Sequence, residues 1–390
     1  MRSSMHWAVI AVACVSILLQ SGCVAGQQLK YVEQFSKQPW QVFPGGRFKA
    51  STNSSMSATS MAGALFELKP GGVRELHWHN AAEWAMVLRG TCRATVLDEG
   101  KTHPTDTWDY TAGDVWYFPP NLPHSVVGLA PSGCLVLASY KSPDTNELKA
   151  LSASGWLATL NVDTAALALG VPAGNAKRML DKSRAQGRSQ FIAQGPVQQL
   201  ASQQPSLPVK RTKAVHRFSL AKNKYPVGPD GSYVNKADVA TFPAATEMSG
   251  AILRLAPGGM RTLHWHPAAD EWQYVINGTV EVGVFTAPGE SITATIGPGD
   301  VGFAPVSSGH YVRNIGKDPA YLVLVFNNGV FTSIDVSNFL GAVPPSWLAA
   351  GLGISSDDAR SINYRLAGLP GRPRPVQKKP EAAKKAGRKL

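Results

Sequence analysis

The sequence predicts an all-β protein with two β-sandwich or jelly-roll β-barrel domains in tandem and short peripheral helices, on the basis of three observations. The segment 63–79, GALFELKPGGVRELHWH, returns at 250–266 as GAILRLAPGGMRTLHWH, and later segments repeat at spacings of 186–188 residues. Apolar runs such as CLVLASY and AYLVLVF are short and bounded by Gly- and Pro-rich turns, which is typical of barrel strands. A helix-like piece closes each unit, ASGWLATL in the first and VSNFLGAVPPSWLAAGL in the second. The chain therefore contains one β unit in two copies.

The repeat divides the 390 residues into two domains of ordinary size. It predicts an N-terminal barrel domain at 27–185 and a C-terminal barrel domain at 213–368. Between them, residues 186–212 are rich in Gln, Ser and Pro and form a connection long enough to cross over and pack on the partner domain. Residues 369–390 are predicted to be a basic disordered tail.

The first 26 residues predict a signal peptide and therefore a secreted or periplasmic protein. Arg2 precedes the apolar run WAVIAVACVSILL, which is short for a membrane span, and small residues follow it. A retained membrane anchor and a lipoprotein anchor at Cys23 are the alternatives. Removal of this segment leaves Cys92 and Cys134, which either form a disulfide bridge or remain two buried thiols.

The formal net charge of +12 is concentrated at the C-terminus. The last twenty residues hold eight Lys or Arg and one Glu, with no apolar period. Because the remainder is only mildly basic, no nucleic-acid partner is expected. The tail is interpreted as a solvated segment, with contact to an anionic surface or polymer as the alternative.

The repeated His-x-His motif predicts a metal site in each barrel. On a strand, residues i and i+2 point to the same face, so His77 and His79 direct their rings to one point. Glu83 follows closely enough to return from a turn, and His124 can reach the same interior from another strand. The second copy supplies His264, His266, Glu271 and His310.

A catalytic or binding metal fits this donor set better than a closed structural one. A lone His-x-His is most often an ordinary strand, but six of the nine histidines fall on matching positions of two repeats. Three imidazoles and one carboxylate leave positions open on a six-coordinate ion. With no thiolate, the set suits Mn or Fe as well as Zn or Ni.

These residues resemble the cupin pattern, G-x5-H-x-H-x3,4-E-x6-G followed by G-x5-P-x-G-x2-H-x3-N. The first copy matches it at Gly71, His77, His79, Glu83, Gly90, Gly113, Pro119 and His124. The second copy matches it at Gly258, His264, His266, Glu271, Gly278, Gly299, Pro305, His310 and Asn314. The segments RELHWH, EWQYVI, GDVWYFP and GHYVRNIG are similar in sequence to the corresponding segments of the bicupins of the oxalate decarboxylase family. The resemblance extends over about residues 45–365.

Three positions depart from the pattern without removing a ligand. Asn121 and Ser307 replace the glycine of P-x-G, and Gly128 replaces the last asparagine of the first copy. Asparagine tolerates a left-handed backbone, so Asn121 is expected to keep the turn.

The resemblance implies two cupin domains that convert oxalate to formate and carbon dioxide. It also implies two Mn(II) ions per chain, with Fe as the alternative, dioxygen as co-catalyst, and a homo-oligomer that is a trimer or hexamer. We expect the N-terminal cupin to carry the chemistry and the C-terminal one to hold metal for structure or electron storage. Leu324 stands where the family's C-terminal unit commonly has a glutamate.

Two kinds of residue complete the predicted catalytic apparatus. Arg74 and Arg261 each lie three residues before the first histidine, and a guanidinium pairs well with a carboxylate substrate. The resemblance further implies that Glu147 is the acid that protonates carbon, because it lies nine residues before Trp156 as in the family's lid. The residues beside it differ from those that the family has at these lid positions: Asn146, Leu148 and Lys149.

Other functions remain open at this stage. An oxalate oxidase, which gives carbon dioxide and hydrogen peroxide, would result from a missing or misplaced acid. A non-enzymatic storage-type bicupin usually lacks metal ligands, whereas both sets are complete here. A bicupin dioxygenase or isomerase acting on another small acid is the third alternative.

Overall fold

Two barrels built from equivalent strands make up the molecule. The computed structural model describes residues 31–98, 105–145, 150–186, 192–194 and 215–364. The predicted signal peptide, the basic tail, most of the predicted connection, and Glu147 lie outside the described residues. Among the described residues, no helix is long and apolar enough to cross a membrane.

The first barrel contains most of the strands in the N-terminal half. They are β1 Val32–Glu33, β2 Gln41–Phe43, β3 Gly46–Ser51, β4 Ala62–Leu68, β5 Gly72–Trp78, β6 Glu83–Leu97, β7 Thr105–Thr111, β8 Asp114–Phe118, β9 His124–Gly128, β10 Cys134–Tyr140, β11 Leu151–Ser152 and β12 Ile192–Gln194. Three helices follow β11: α1 Ala153–Leu157, α2 Val162–Leu169 and α3 Ala173–Gln186. The helix-like piece ASGWLATL predicted only the first of them.

The second barrel repeats this order. Its half of the chain contains β13 Arg217–Ser219, β14 Tyr233–Ala237, β15 Ser249–Leu255, β16 Met260–Trp265, β17 Glu271–Asn277, β18 Val280–Ala287, β19 Glu290–Ile296, β20 Val301–Ala304, β21 Gly309–Asn314, β22 Ala320–Phe326 and β23 Ile334–Asp335. The helices are α4 Val336–Leu340, α5 Pro345–Leu352 and α6 Ser356–Ser361. The pairing described below is antiparallel throughout, and the all-β class with two curled barrels and short helices is confirmed.

Each barrel is closed by a strand from the other half of the chain. Strand β1 pairs with β20 of the second barrel, and β13 pairs with β8 of the first. The short strand β12, which falls inside the predicted connection, pairs with β5. The two barrels are therefore tied together by exchanged edge strands as well as by packing.

A shared apolar core lies between the barrels and has an approximate two-fold relation. Trp84 of the first barrel packs on Gly250 of the second, and Trp272 of the second packs on Gly63 of the first. A Cβ atom on Gly63 would lie 2.1 Å from the Trp272 ring. Glycine is therefore required where each indole enters, because a side chain would overlap it.

Separate cores fill the two barrels. Residues such as Phe48, Val87 and Val136 fill the first, and Leu253, Val282 and Leu322 fill the second. Cys92 and Cys134 are buried in the first core as two thiols, which is one of the two states the sequence left open.

Candidate metal centres

A one-residue slip in strand pairing places the arginine and the histidines on one face. On a regular strand, residues i and i+3 point to opposite faces. Between Arg74 and His77 the register of β5 against β9 shifts by one residue, so both side chains are buried inside the barrel. The same shift occurs between Arg261 and His264 on β16. A β-bulge is a common means of redirecting a side chain at a functional site.

The first predicted quartet comes together inside the first barrel. One ring nitrogen from each of His77, His79 and His124 lies within 4.8 Å of the others. The Glu83 carboxylate Oε2 is 3.2 Å from His79 Nε2 and 3.4 Å from His124 Nε2. All four side chains are buried. Trp78 points to the opposite face of β5 and packs edge-on against Trp156 of α1.

The second quartet closes around one point in the second barrel. His264, His266, Glu271 and His310 each offer a ligand atom within 4.8 Å of the others, and all four are buried. Burial holds the pKa of His264 well below its ordinary value, which favours the neutral ring. Glu271 Oε2 lies 2.8 Å from His266 Nε2 and 3.3 Å from His310 Nε2. A neutral imidazole beside a carboxylate suits a divalent cation.

All six histidine rings are oriented by the same kind of hydrogen bond to the backbone. The orientation of the rings shows whether the two sites fit a metal ion. Each ring has its Nδ1 within 2.6–2.9 Å of a backbone carbonyl oxygen. A carbonyl only accepts, so Nδ1 carries the proton and the Nε2 lone pair faces the centre. His124 Nε2 is buried and has no hydrogen-bond partner among the described residues. This geometry fits a divalent metal ion in each barrel.

The loop that carries the last histidine is attached to the end of the His-x-His strand. Asn121 and Ser307 have φ angles of 67° and 62°, the left-handed conformation that glycine normally supplies there. The Asn121 N–H donates to the His79 carbonyl at 2.8 Å, and the Ser307 N–H donates to the His266 carbonyl at 2.9 Å. The expectation that Asn121 keeps the turn is confirmed, and serine keeps it as well.

The second oxygen of each metal carboxylate is held by a different donor in the two barrels. The indole N–H of Trp116 donates to Glu83 Oε1 at 2.8 Å. In the second barrel the Gln273 amide donates to Glu271 Oε1 at 2.7 Å, and Gly302 occupies the position equivalent to Trp116. A Cβ atom on Gly302 would lie 2.7 Å from Gln273 Oε1, so the small residue makes room for the amide. Sequence patterns gave no signal for either donor.

The two predicted arginines are both buried, and Arg261 forms an ion pair with Asp335. Arg261 donates to Asp335 Oδ1 at 2.6 Å and to Ser333 Oγ at 3.0 Å. In the first barrel Ser152 occupies the position of Asp335, since Ser152 pairs with His77 as Asp335 pairs with His264. The sequence analysis did not single out Asp335, and a lone aspartate ahead of a short helix is a weak signal.

The structure describes the surroundings of the predicted acid and the residue at the family's C-terminal glutamate position. Glu147 lies outside the described residues, between Tyr140, whose ring centroid is 5.4 Å from that of His79, and Leu151, which pairs with Trp78. In the second barrel Leu324 is buried in the core. The rings of Phe326 and Phe331 pack against His266, with centroids 4.8 and 5.6 Å away.

Two barrels in one chain, each with an inward-facing set of three histidines and a glutamate, define a bicupin metalloprotein. The Cupin family model matches residues 44–175 and 218–360. The chain is 31% identical over 306 residues to an oxalate decarboxylase of Bacillus subtilis, which covers 76% of this chain and 75% of that one. It therefore belongs to the cupin family and, within it, to the oxalate decarboxylase bicupins.

Further relatives and solved structures agree with this assignment. An oxalate decarboxylase of Arthroderma benhamiae is 26% identical over 347 residues, covering 83% of this chain and 80% of its own. The structure of a Lactobacillus farciminis oxalate decarboxylase formate complex superposes with a TM-score of 0.78 at 31% identity, over 86% of this chain and 96% of that chain. A structure concerned with the Mn(II) centres of Bacillus subtilis oxalate decarboxylase superposes with a TM-score of 0.77 at 28% identity, covering 88% and 89%.

Proposed function

We propose that this protein is an oxalate decarboxylase, which converts the oxalate dianion and one proton to formate and carbon dioxide. One observation carries the proposal: the strand that leads into the His77–His79 pair also turns a buried arginine into the same barrel interior. A metal ion beside a guanidinium is suited to a small carboxylate substrate.

The proposed cofactor is one Mn(II) in each centre, with Fe as the alternative. His77, His79, Glu83 and His124 would hold the first ion, and His264, His266, Glu271 and His310 the second. When bound, manganese with dioxygen as co-catalyst supplies the one-electron oxidation and reduction that make C–C cleavage feasible. Nitrogen and oxygen donors without a thiolate support this choice of metal.

Arg74 is proposed to bind and orient the substrate in the first barrel. Its guanidinium presents parallel N–H donors that match a carboxylate. It is buried, and a carboxylate–guanidinium pair is stronger in a low-dielectric interior than in water. Arg74 therefore holds the anion next to the metal ligands and favours loss of the other carboxylate as neutral carbon dioxide.

Glu147 is proposed to deliver the proton to the remaining carbon. The reaction consumes one proton for each oxalate, so a group that exchanges protons with solvent must reach the carbon. Support comes from the flanking residues, because Tyr140 contacts His79 and Leu151 pairs with the same strand. In the equivalent segment of the second barrel, residues 327–335, the one acidic group is Asp335, which is paired with Arg261.

Substitution of one histidine in each barrel tests the proposal and its assignment to the first barrel. Loss of the first metal in His77→Ala is expected to abolish formate production, whereas His264→Ala keeps a large part of it. Each variant is compared at full metal occupancy of the remaining centre. Activity that survives His77→Ala but not His264→Ala would assign the chemistry to the second barrel.

Oxalate oxidation is the second candidate, and one observation favours it. Glu147 keeps its spacing from Trp156, but Asn146, Leu148 and Lys149 around it differ from the family's lid. A misplaced acid would divert the reaction, with dioxygen reduced, toward two carbon dioxides and hydrogen peroxide. Formate and peroxide measured on one sample in air separate the two activities, because only decarboxylation makes formate and only oxidation makes hydrogen peroxide.

We also propose that the protein is exported and assembles as a homo-oligomer, a trimer or hexamer. Export is supported by the signal-like first 26 residues. Assembly is supported by large apolar side chains exposed on the outside of both barrels, among them Trp156 and Trp347 at 65% and 69% exposure. N-terminal sequencing of the mature protein and light scattering after size-exclusion chromatography test the two points.

A further inference from the structure

The guanidinium of Arg261 is engaged on several sides by its own barrel. Its Nη1 donates to Asp335 Oδ1 at 2.6 Å, and its Nη2 donates to Ser333 Oγ at 3.0 Å. The hydroxyl of Thr262 donates to the same Asp335 oxygen at 2.9 Å. Both partners of the ion pair are almost fully buried, with side-chain exposures of 6% and 11%. A buried pair of this kind is hard to open, because separation leaves two unpaired charges in the interior.

The backbone brings Asp335 to this position, and its carboxylate serves Arg261 rather than the adjacent helix. Strand β23 adds to the edge of β16 and places Asp335 opposite His264. Asp335 is the residue before α4, where aspartate usually caps a helix, yet its side chain makes no capping hydrogen bond. At the equivalent position of the first barrel, the Ser152 hydroxyl caps α1 by accepting the Gly155 N–H.

From this arrangement we infer that Asp335 is a specificity-determining residue that makes the second metal centre reject oxalate. The inference rests on the proposed function, in which oxalate is the substrate. To bind Arg261 as it would bind Arg74, oxalate must displace the Asp335 carboxylate. The displaced carboxylate would then lie buried and unpaired next to an incoming dianion.

The charge at the second centre supports the same conclusion. A divalent ion together with Glu271, Arg261 and Asp335 carries one net positive charge. That sum matches a monoanion better than a dianion, and like charges close together in an interior repel strongly. Neutral serine at the equivalent position of the first barrel adds no such negative charge. Asp335 therefore makes the second centre a poorer site for a dianion than the same centre with a neutral residue at position 335.

Binding of oxalate to the zinc-loaded full-length protein tests this inference, because zinc is redox-inert and oxalate then binds without turnover. The His77→Ala variant isolates the second centre, and Asp335→Asn is added to it. Calorimetry is expected to show one oxalate per chain in His77→Ala/Asp335→Asn, bound at least tenfold more tightly than in His77→Ala alone. Asp335→Ser, which copies the first barrel, is expected to behave like Asp335→Asn.

The controls separate this inference from the proposed function. Ser333→Ala removes a neutral contact of Arg261 while leaving the ion pair, so in the His77→Ala background it should leave oxalate binding weak. Equal affinity with and without Asp335 overturns the inference, as does loss of zinc from both Asp335 variants, which would assign the ion pair to building the centre. Absence of oxalate binding in His264→Ala, where only the first centre holds zinc, overturns the proposed function instead.

Discussion

The two barrels present the same three histidines and one glutamate, but the residues around these ligands differ. An indole from the neighbouring strand β8 holds the metal carboxylate in the first barrel, and an amide from the carboxylate's own strand holds it in the second. A tyrosine contacts the second histidine in the first barrel, where phenylalanines do so in the second. The arginine ahead of the histidines is tied to Asp335 in the second barrel, whereas Ser152 occupies the matching position in the first.

This difference shows that metal ligation and substrate chemistry are positioned by separate parts of the fold. The metal ligands are aimed by backbone features that both barrels share. These are the register shift in β5 and β16 and the left-handed residues at 121 and 307. The residues around each metal-binding glutamate differ between the barrels, and a change at one position is balanced by a change at its neighbour. Trp116 with Ala85 in the first barrel corresponds to Gly302 with Gln273 in the second, so one large residue and one small one exchange places. Each arrangement delivers one N–H to the carboxylate.

The largest predicted difference between the barrels concerns the two arginines. Arg74→Lys keeps the charge but removes the paired N–H donors, so oxalate kcat/KM is expected to fall about a hundredfold, or roughly 3 kcal/mol. Arg261→Lys is expected to change turnover by less than about threefold, because lysine can still pair with Asp335 away from the reacting substrate. Steady-state formate production measures both.

Both arginine variants need a check on metal content. Two manganese ions per chain in each variant would show that the lysine acts on substrate binding rather than on assembly of the centre. If the two substitutions lowered kcat/KM equally at full occupancy, the functional contrast between the barrels would be wrong.

A smaller difference is expected in metal retention. Trp116→Phe removes the donor to Glu83, and Gln273→Leu removes the donor to Glu271. Each is expected to weaken metal binding about 10–100-fold in its own barrel only, because such outer hydrogen bonds orient the ligating carboxylate. Competition with a chelator measures the affinity, with His264→Ala or His77→Ala used to leave one centre at a time.

Trp84→Phe is the matched control for the indole. Trp84 is as deeply buried as Trp116, follows Glu83 directly, and its indole N–H has no hydrogen-bond partner among the described residues. Its substitution by Phe should therefore leave metal affinity unchanged while removing similar ring area. Equal weakening by both tryptophan variants would point to packing rather than to the carboxylate contact.

Much of this contrast could not be predicted from the sequence, for physical reasons. The ligand sets were predictable because His-x-His on a strand is a local pattern and occurs twice. The inward turn of Arg74 and Arg261 depends on a slip in pairing with a distant strand, which local alternation does not show. The pairing of Arg261 with Asp335 spans 74 residues and requires β23 to add to β16. Helices α2 and α3 were missed because α2 is a short apolar run, VDTAALAL, and α3 is a largely polar segment, so neither gives a clear helical signal.

The smallest predicted difference concerns a thiol found only in the first barrel. Cys92 lies where the second barrel has Val280, and Cys134 lies where it has Ala320. Burial, reinforced by a hydrogen bond with Cys134, raises the pKa of the Cys92 thiol well above its ordinary value. The folded state therefore keeps this thiol protonated at a pH where the unfolded chain ionises it.

The sign of the resulting pH dependence follows from linkage. The contribution of Cys92 to stability is fully present below the ordinary thiol pKa of about 8.5 and is lost as pH rises from there toward the raised folded pKa. The limiting slope is about 1.4 kcal/mol per pH unit for one thiol.

Cys92→Val, which copies the second barrel, should flatten the decline of unfolding free energy between about pH 8.5 and 9.5. Urea unfolding across that interval measures it. The buried tyrosines, including Tyr274 with a pKa of about 12, contribute equally to the pH dependence of the wild type and of Cys92→Val. If the unfolding free energies of the two proteins declined with the same slope, Cys92 would be ionised or exposed in the folded state.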